Sequence, residues 1–287
     1  MRNDAAFVLV PYDSARRDWR MGRGPAELAR RLQERRHHEV DYNMEGVEIA
    51  ATNAAGELDA SFSLYQDVAL KVRAIRESRK LPVVLSGNCA ATLGTVAGAG
   101  ELGVVWFDAH GDFNTPQTSS TGFLDGMSLA ALTGGCWSEH TATIPGFVPV
   151  AASRIVHIGG RDFDPEDDME LAVAGATVVR GDITPRELYW QRLGAALTDL
   201  ATRVRQIHIH LDLDVIDASE GRANSYAAGG GLSRNELLRT LTDIGSRFEV
   251  VSLGISAYDP ASDVDGRIAE AALDSIETVI QSRNTPS

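Results

Sequence analysis

The chain has 287 residues, 44% hydrophobic and 23% charged, enough for the core of one large α/β domain or two small ones. Its formal charge of -13 argues against nucleic acid or anionic membrane as a main partner, since both reward positive patches. Two cysteines, Cys89 and Cys136, exclude a disulfide scaffold and fit a reducing, cytoplasmic location.

The apolar run before Pro11 is too short for a signal segment, and no stretch reaches the roughly 18 apolar residues of a membrane span. From there, short apolar runs alternate with segments of helical spacing. A strand is expected at 6–10, a helix at 25–36 opened by Pro25, and a further strand near 40–42. A helix at 63–79 leads to a strand at 83–86, and the glycines at 98–103 read as a turn before a strand at 103–108. Then come a strand at 154–158, a helix at 165–174, a strand at 177–179 and a helix at 186–204. The last units are a strand at 207–212, a helix at 233–244, a strand at 250–255 and a helix at 267–281. Ser233 and Glu236 have capping-box spacing at the start of the 233–244 helix. The glycines at 229–231 read as a second turn, and neither glycine cluster carries a phosphate-loop signature.

Several of these strands are almost continuously apolar, as strands covered on both faces are. No linker, low-complexity tract or repeat divides the sequence. It therefore reads as a single α/β domain, residues 1–287, with a mainly parallel sheet of about eight strands and helices on both sides. Ligands of such sheets bind beyond the carboxyl ends of the strands.

Two strand ends stand out. Asp108, His110 and Asp112 occupy alternate positions after one apolar strand, and Asp212 and Asp214 do so after another. An extended chain sends alternate side chains to one side, so each set can converge. Four carboxylates and an imidazole gathered there repel one another unless cations neutralise them. Hard oxygen ligands suit Mn²⁺ or a similar divalent ion, and bridging carboxylates allow two ions about 3.5–4 Å apart. Read blandly, the same acids are caps and turn residues, which two such clusters after buried strands disfavour. His208 and His210 share a side of their strand with Asp212 but read as hydrogen-bonded core residues.

The segments 108–116 and 212–217 resemble the two core metal motifs of the arginase, agmatinase and related ureohydrolase family. Residues 11–14, 20–25, 161–165 and 230–233 match that family in order and spacing, so the resemblance covers almost the whole chain. It implies a three-layer α/β/α fold, a binuclear Mn²⁺ centre of one or two retained ions, and C–N bond hydrolysis by metal-bound hydroxide. By position, Asp108 and Asp212 would bridge the ions, Asp112 would bind one and manage a proton, and His110 and Asp214 would bind the other. Asn114, Thr121 and Asp164 would hold the far end of a small-molecule substrate, with Tyr226 in a loop that also contacts it. A homo-oligomer is also implied.

The sequence departs from that pattern at three places. Cys89 stands where the family has a His ligand. It is either a softer ligand or a small buried residue beside a weakened subsite. In this respect the chain is similar to arginase-like enzymes that act on N-hydroxyarginine. Asp125 replaces a proton-shuttling His, and is itself an acid or base only if its pKa is raised. Ala257 replaces the Glu that pairs with a guanidinium, which makes arginine a poor substrate. The expectation is hydrolysis of an amidine, hydroxyguanidine or related linear amide; the alternative is a degenerate member that binds a metabolite or partner without catalysis.

Overall fold

The computed structural model describes residues 5–35, 44–48 and 56–283. Its first half runs β1 (Ala5–Val10), a small hairpin of β2 (Tyr12–Asp13) and β3 (Arg16–Arg17), α1 (Gly24–Arg35), β4 (Met44–Gly46), α2 (Glu57–Glu77), β5 (Leu81–Ser86) and α3 (Thr92–Ala99). Next come β6 (Gly103–Phe107), α4 (Ser128–Leu132), α5 (Ser138–Thr141), β7 (Ile155–Ile158), α6 (Pro165–Ala174) and β8 (Thr177–Val179). The chain closes with α7 (Arg186–Ala201), β9 (Gln206–Asp212), α8 (Arg234–Arg247), β10 (Glu249–Ser256) and α9 (Arg267–Ser282).

Apart from the hairpin, the strands form one parallel sheet in the order β4-β1-β5-β10-β9-β6-β7-β8. Alternation along each strand divides the core in two. Val105, Phe107, Ile207, Ile209 and Leu211 face Leu193, Leu197, Leu241 and Ile276 of α7, α8 and α9. Val104, Trp106, Val84 and Val251 face Val68, Leu93 and Leu129 of α2, α3 and α4. Helices therefore cover both faces, giving the expected three-layer α/β/α fold.

The strand order decides where the site lies. From β5 the chain skips two places to β6, and β10 and β9 later fill the gap. Such a break in order opens a crevice beyond the carboxyl ends of the strands. The four central strands end nearly level, with Ile255 opposite Leu85, Ser256 opposite Asp212 and Phe107 opposite Leu211.

Most expected elements recur with shifted ends: α2 begins at Glu57 rather than 63, and α7 ends at Ala201 rather than 204. Ser233 and Glu236 form the expected capping box on α8. One expectation fails, since the glycines from 98 are not all turn: Gly98 lies within α3. A Cβ on Gly94 would stand 2.3 Å from the Tyr65 carbonyl oxygen, and one on Gly98 2.4 Å from that of Ala69. These glycines let α3 lie directly on α2. The strand expected near 40–42 lies outside the described residues; the edge strand described is β4, paired to β1. No described helix is long and apolar enough to cross a membrane.

Candidate metal centre

The residues that follow the four central strands form the floor of a cavity of about 310 Å³. Asp108 begins the segment after β6. Its backbone N–H donates to Ile158 O at 3.0 Å, the last contact continuing the sheet. Its Oδ1 then accepts from the N–H of His110 at 2.8 Å, curling the chain back in the manner of an Asx turn. Asp112 has φ 51, and its carbonyl oxygen accepts from Leu129 and Ala130 at 2.9 and 3.2 Å. Asp108, His110 and Asp112 thus converge through a turn with one left-handed residue, not through the extended alternation expected of them. Asp212, at the end of β9, accepts at Oδ1 from the Asp214 N–H at 2.8 Å and at Oδ2 from the Cys89 thiol at 3.0 Å.

His110 joins the two strand ends: its Nδ1 lies 3.4 Å from both Asp108 Oδ1 and Asp214 Oδ2. Asp214 Oδ1 also accepts from the Ala109 N–H at 3.2 Å, and its Oδ2 from Asn224 Nδ2 at 3.3 Å. Asn224 Nδ2 reaches the carbonyl oxygen of Ala257 as well, at 2.9 Å. Ala257 has φ 61, a conformation costly for a residue with a side chain and often met at functional sites. Around this floor Arg161 donates to the carbonyl oxygens of Asp214 (2.8 Å), Gly159 (2.9 Å), Ala228 (2.9 Å) and Gly229 (3.0 Å), tying three loops together.

The charges are arranged at high cost. Burial pushes the pKa values of Asp108, Asp112 and Asp212 up, and their neighbouring carboxylates push them further. Burial works against a charged His110, but Asp214 and Asp108 outweigh it and hold the imidazolium strongly. Burial likewise opposes the Asp214 charge, and His110 reverses the balance to leave its pKa at about 2. Asp125 is raised to about 7 by burial, partly offset by the Ala90 N–H at 3.0 Å and the Asn88 amide at 2.7 Å. Burial, then the charge of Asp212, pushes the Cys89 thiol well up.

A divalent cation fits this donor set. Asp112 Oδ2 is buried without a hydrogen-bond partner, an oxygen whose lone pairs point to no protein donor. Among the described residues two triads bring ligand atoms within 4.8 Å of one another: Asp108, His110 and Asp214, and Cys89, Asp108 and His210.

Cys89, His110, Asp112, Asp125, Asp212 and Asp214 all line the cavity, while Asp108 lies beneath them. Asn114, Thr121, Asp164 and Tyr226 form its outer part. There Asn114 Nδ2 donates to Asp164 Oδ2 at 3.3 Å, and the Tyr226 ring stacks on Phe123 at 6.0 Å. Sequence reasoning missed Asp167 and Asn224, which line the same cavity. Asp167 is 5% exposed, its Oδ1 has no partner, and burial followed by the Asp164 charge raises its pKa to about 7.

A parallel α/β/α sandwich with these donors at its strand ends can hold a divalent cation. The sequence profile of the Arginase family matches residues 3–281. Arginase of Bacillus subtilis (strain 168) is 29% identical over 228 residues, 75% of this chain and 74% of its own length. Arginase-1 of Homo sapiens is 28% identical over 224 residues, covering 75% and 68%. Arginase from Bacillus cereus superposes with a TM-score of 0.84 at 27% identity, covering 96% of this chain and 97% of that one. Formimidoylglutamase from Bacillus subtilis subsp. subtilis str. 168 shares the fold, with a TM-score of 0.78 at 18% identity over 99% and 88%. The chain belongs to the arginase family, and its class is that of ureohydrolase-type enzymes acting on C–N bonds.

Proposed function

We propose that this protein, a single domain over residues 1–287, hydrolyses a C–N bond of a small amidine, hydroxyguanidine or related linear amide with the help of one or two divalent ions, Mn²⁺ foremost. The observation that carries this reading is the set of four buried carboxylates and His110 drawn together at the ends of β6 and β9. Asp108, His110, Asp112, Asp212 and Asp214 would hold the ions, with Cys89 beside them. When bound, such ions polarise the substrate's C–N group and lower the pKa of a nearby water towards neutrality.

The protein's own residues supply the rest. Asp112, which lines the cavity, takes the proton of the attacking water on its carboxylate. Asp125, with a pKa of about 7, gives a proton to the departing nitrogen; Ala90 and Asn88 hold its carboxyl group in place. Asn114, Thr121, Asp164 and Tyr226 bind the far end of the substrate. Ala257 leaves the wall without the carboxylate that an alkylguanidinium needs, so arginine is a poor substrate. A homo-oligomer accompanies this reading, and sedimentation would give its size.

The test is release of urea, hydroxyurea or ammonia from a panel of amidines and hydroxyguanidines by the Mn²⁺-loaded protein. Asp112→Ala is expected to lower turnover by about 100- to 10,000-fold while the metal-free protein keeps its far-ultraviolet circular dichroism and a cooperative unfolding transition. Full activity in Asp112→Ala would refute the mechanism. Ala257 also favours a second reading, a binding protein without turnover, which predicts ligand affinity with no product from any member of the panel.

A further inference from the structure

His210 has no part in the reading above. It lies on β9 two residues before Asp212, on the same face, and is fully buried. Its ring is stacked on Trp106 with centroids 3.7 Å apart, and Nε1 of that same indole donates to Asp108 Oδ2 at 3.1 Å. One edge of the ring is held by Thr92, whose Oγ1 is 2.7 Å from Nδ1. The other edge turns towards the cysteine: Nε2 is 3.4 Å from Ser256 Oγ, which lies 3.3 Å from Cys89 Sγ. A ligand atom from each of Cys89, Asp108 and His210 falls within 4.8 Å of the other two.

The two hydroxyl contacts would satisfy a packing histidine; what packing does not require is the approach of Cys89 and Asp108 to the same ring. With Nδ1–H donated to Thr92, Nε2 presents its lone pair on the side of the sulfur, and the Trp106 stack fixes the ring plane. His210 lies within β9, Asp108 directly follows β6, and Cys89 opens the short turn between β5 and α3, so the rigid sheet fixes two of the three donors and a buried turn fixes the third. Asp212 Oδ2, 3.0 Å from Sγ, is close enough to serve as a fourth donor.

We infer that Cys89, Asp108 and His210 form a thiolate–imidazole–carboxylate subsite selective for Zn²⁺, in which His210 supplies the imidazole that Cys89 has displaced. This rests on the metallohydrolase reading and deepens it. A sulfur, a nitrogen and one or two carboxylate oxygens are the donors Zn²⁺ takes in tetrahedral sites. The neighbouring triad of Asp108, His110 and Asp214 offers one nitrogen and otherwise oxygens, a harder set that suits Mn²⁺. The centre would then be heterometallic, Asp108 being common to both triads. Binding releases the Cys89 thiol proton to solvent and leaves the thiolate on the ion.

The test uses the full-length protein, stripped of metal and titrated with Zn²⁺, Mn²⁺ and Co²⁺ separately. Loaded with one equivalent of Co²⁺, wild type should show a thiolate-to-metal charge-transfer band that Cys89→Ser loses. X-ray absorption of the protein with one equivalent of Zn²⁺ should show sulfur and imidazole neighbours. His210→Phe keeps the stack on Trp106 but removes both nitrogens. It should lose the imidazole signal and bind Zn²⁺ at least about tenfold more weakly, since even outer-shell partners are worth that much. His110→Ala should keep both the signal and the Zn²⁺ affinity. An imidazole signal kept in His210→Phe but lost in His110→Ala would overturn the assignment while leaving the hydrolase reading intact, as would a wild-type zinc site without sulfur. Failure of the wild-type protein to take up any of the three metals would overturn both.

Discussion

Asp167 offers a direct measure of how much charge the cavity stores. Its carboxyl group is buried, one oxygen has no partner, and its pKa stands at about 7 against an ordinary 3.8. The folded protein therefore holds a proton there that the unfolded chain gives up. Stability falls as pH rises from about 4 to about 7, and the full penalty is present above that. At about 1.4 kcal/mol per pK unit, the charge at Asp167 costs about 4 kcal/mol at pH 8 and about 1.5 kcal/mol at pH 5. Asp167→Asn keeps the shape and removes the titration. In protein stripped of metal by a chelator, the variant should exceed wild type in unfolding free energy by about 3 kcal/mol more at pH 8 than at pH 5. Urea unfolding followed by circular dichroism at the two pH values measures the difference. A gain independent of pH, or a loss at pH 8, would refute the assignment of a strained, protonatable Asp167.

Two further substitutions probe other parts of the molecule. Ala257→Glu restores a carboxylate to the cavity wall, and a charge-assisted hydrogen bond of about 1.5–3 kcal/mol should raise kcat/KM for arginine by about 10- to 150-fold. Steady-state urea release measures it, and unchanged arginine turnover would show that the wall is not where a guanidinium docks. Gly98→Ala places a methyl group 2.4 Å from the Ala69 carbonyl oxygen and 2.8 Å from Val72 Cβ. It should cost about 1–3 kcal/mol despite the better helix propensity of alanine, read as a lower urea midpoint. A raised midpoint would mean that α2 and α3 are not in backbone contact.

How legible each part was follows from how it is buried. The central strands β6 and β9 are covered on both faces, so apolar runs announced them. Helices α1 and α8 are buried on one side and exposed on the other, and periodicity found them. Helix α3 is buried almost all round and built from small residues, so it shows no stripe, and its glycines read as a turn. In the site, Asp108, His110, Asp112, Asp212 and Asp214 were visible because charge directly after a buried strand needs a reason. The turn that gathers the first three was not visible, since spacing alone cannot reveal the left-handed Asp112. Asp167 was hidden in the acidic run Glu166-Asp167-Asp168 opening α6, where the helix dipole already accounts for acids. Only the fold turns Asp167 inward while Glu166 and Asp168 stay exposed.

The departures at Cys89, Asp125 and Ala257 come from three separate loops, yet they meet on one wall and each has a partner there. Cys89 Sγ donates to Asp212 and touches Ser256. Asp125 accepts from the Ala90 N–H and from Asn88, the residue next to Cys89. The Ala257 carbonyl oxygen is held by Asn224, which also holds Asp214. A site decaying without function would lose ligands one at a time and leave buried polar atoms stranded, each at a cost of about 1–3 kcal/mol. Here the substituted residues are satisfied, while two of the buried unpartnered oxygens, Asp112 Oδ2 and Asp167 Oδ1, belong to acids lining the cavity. In the proposed centre Asp108, His110 and Asp214 stand where the resemblance leads one to expect ligands, and the residues around Cys89 form a connected set. That pattern is expected of a catalyst whose metal preference and substrate have changed together.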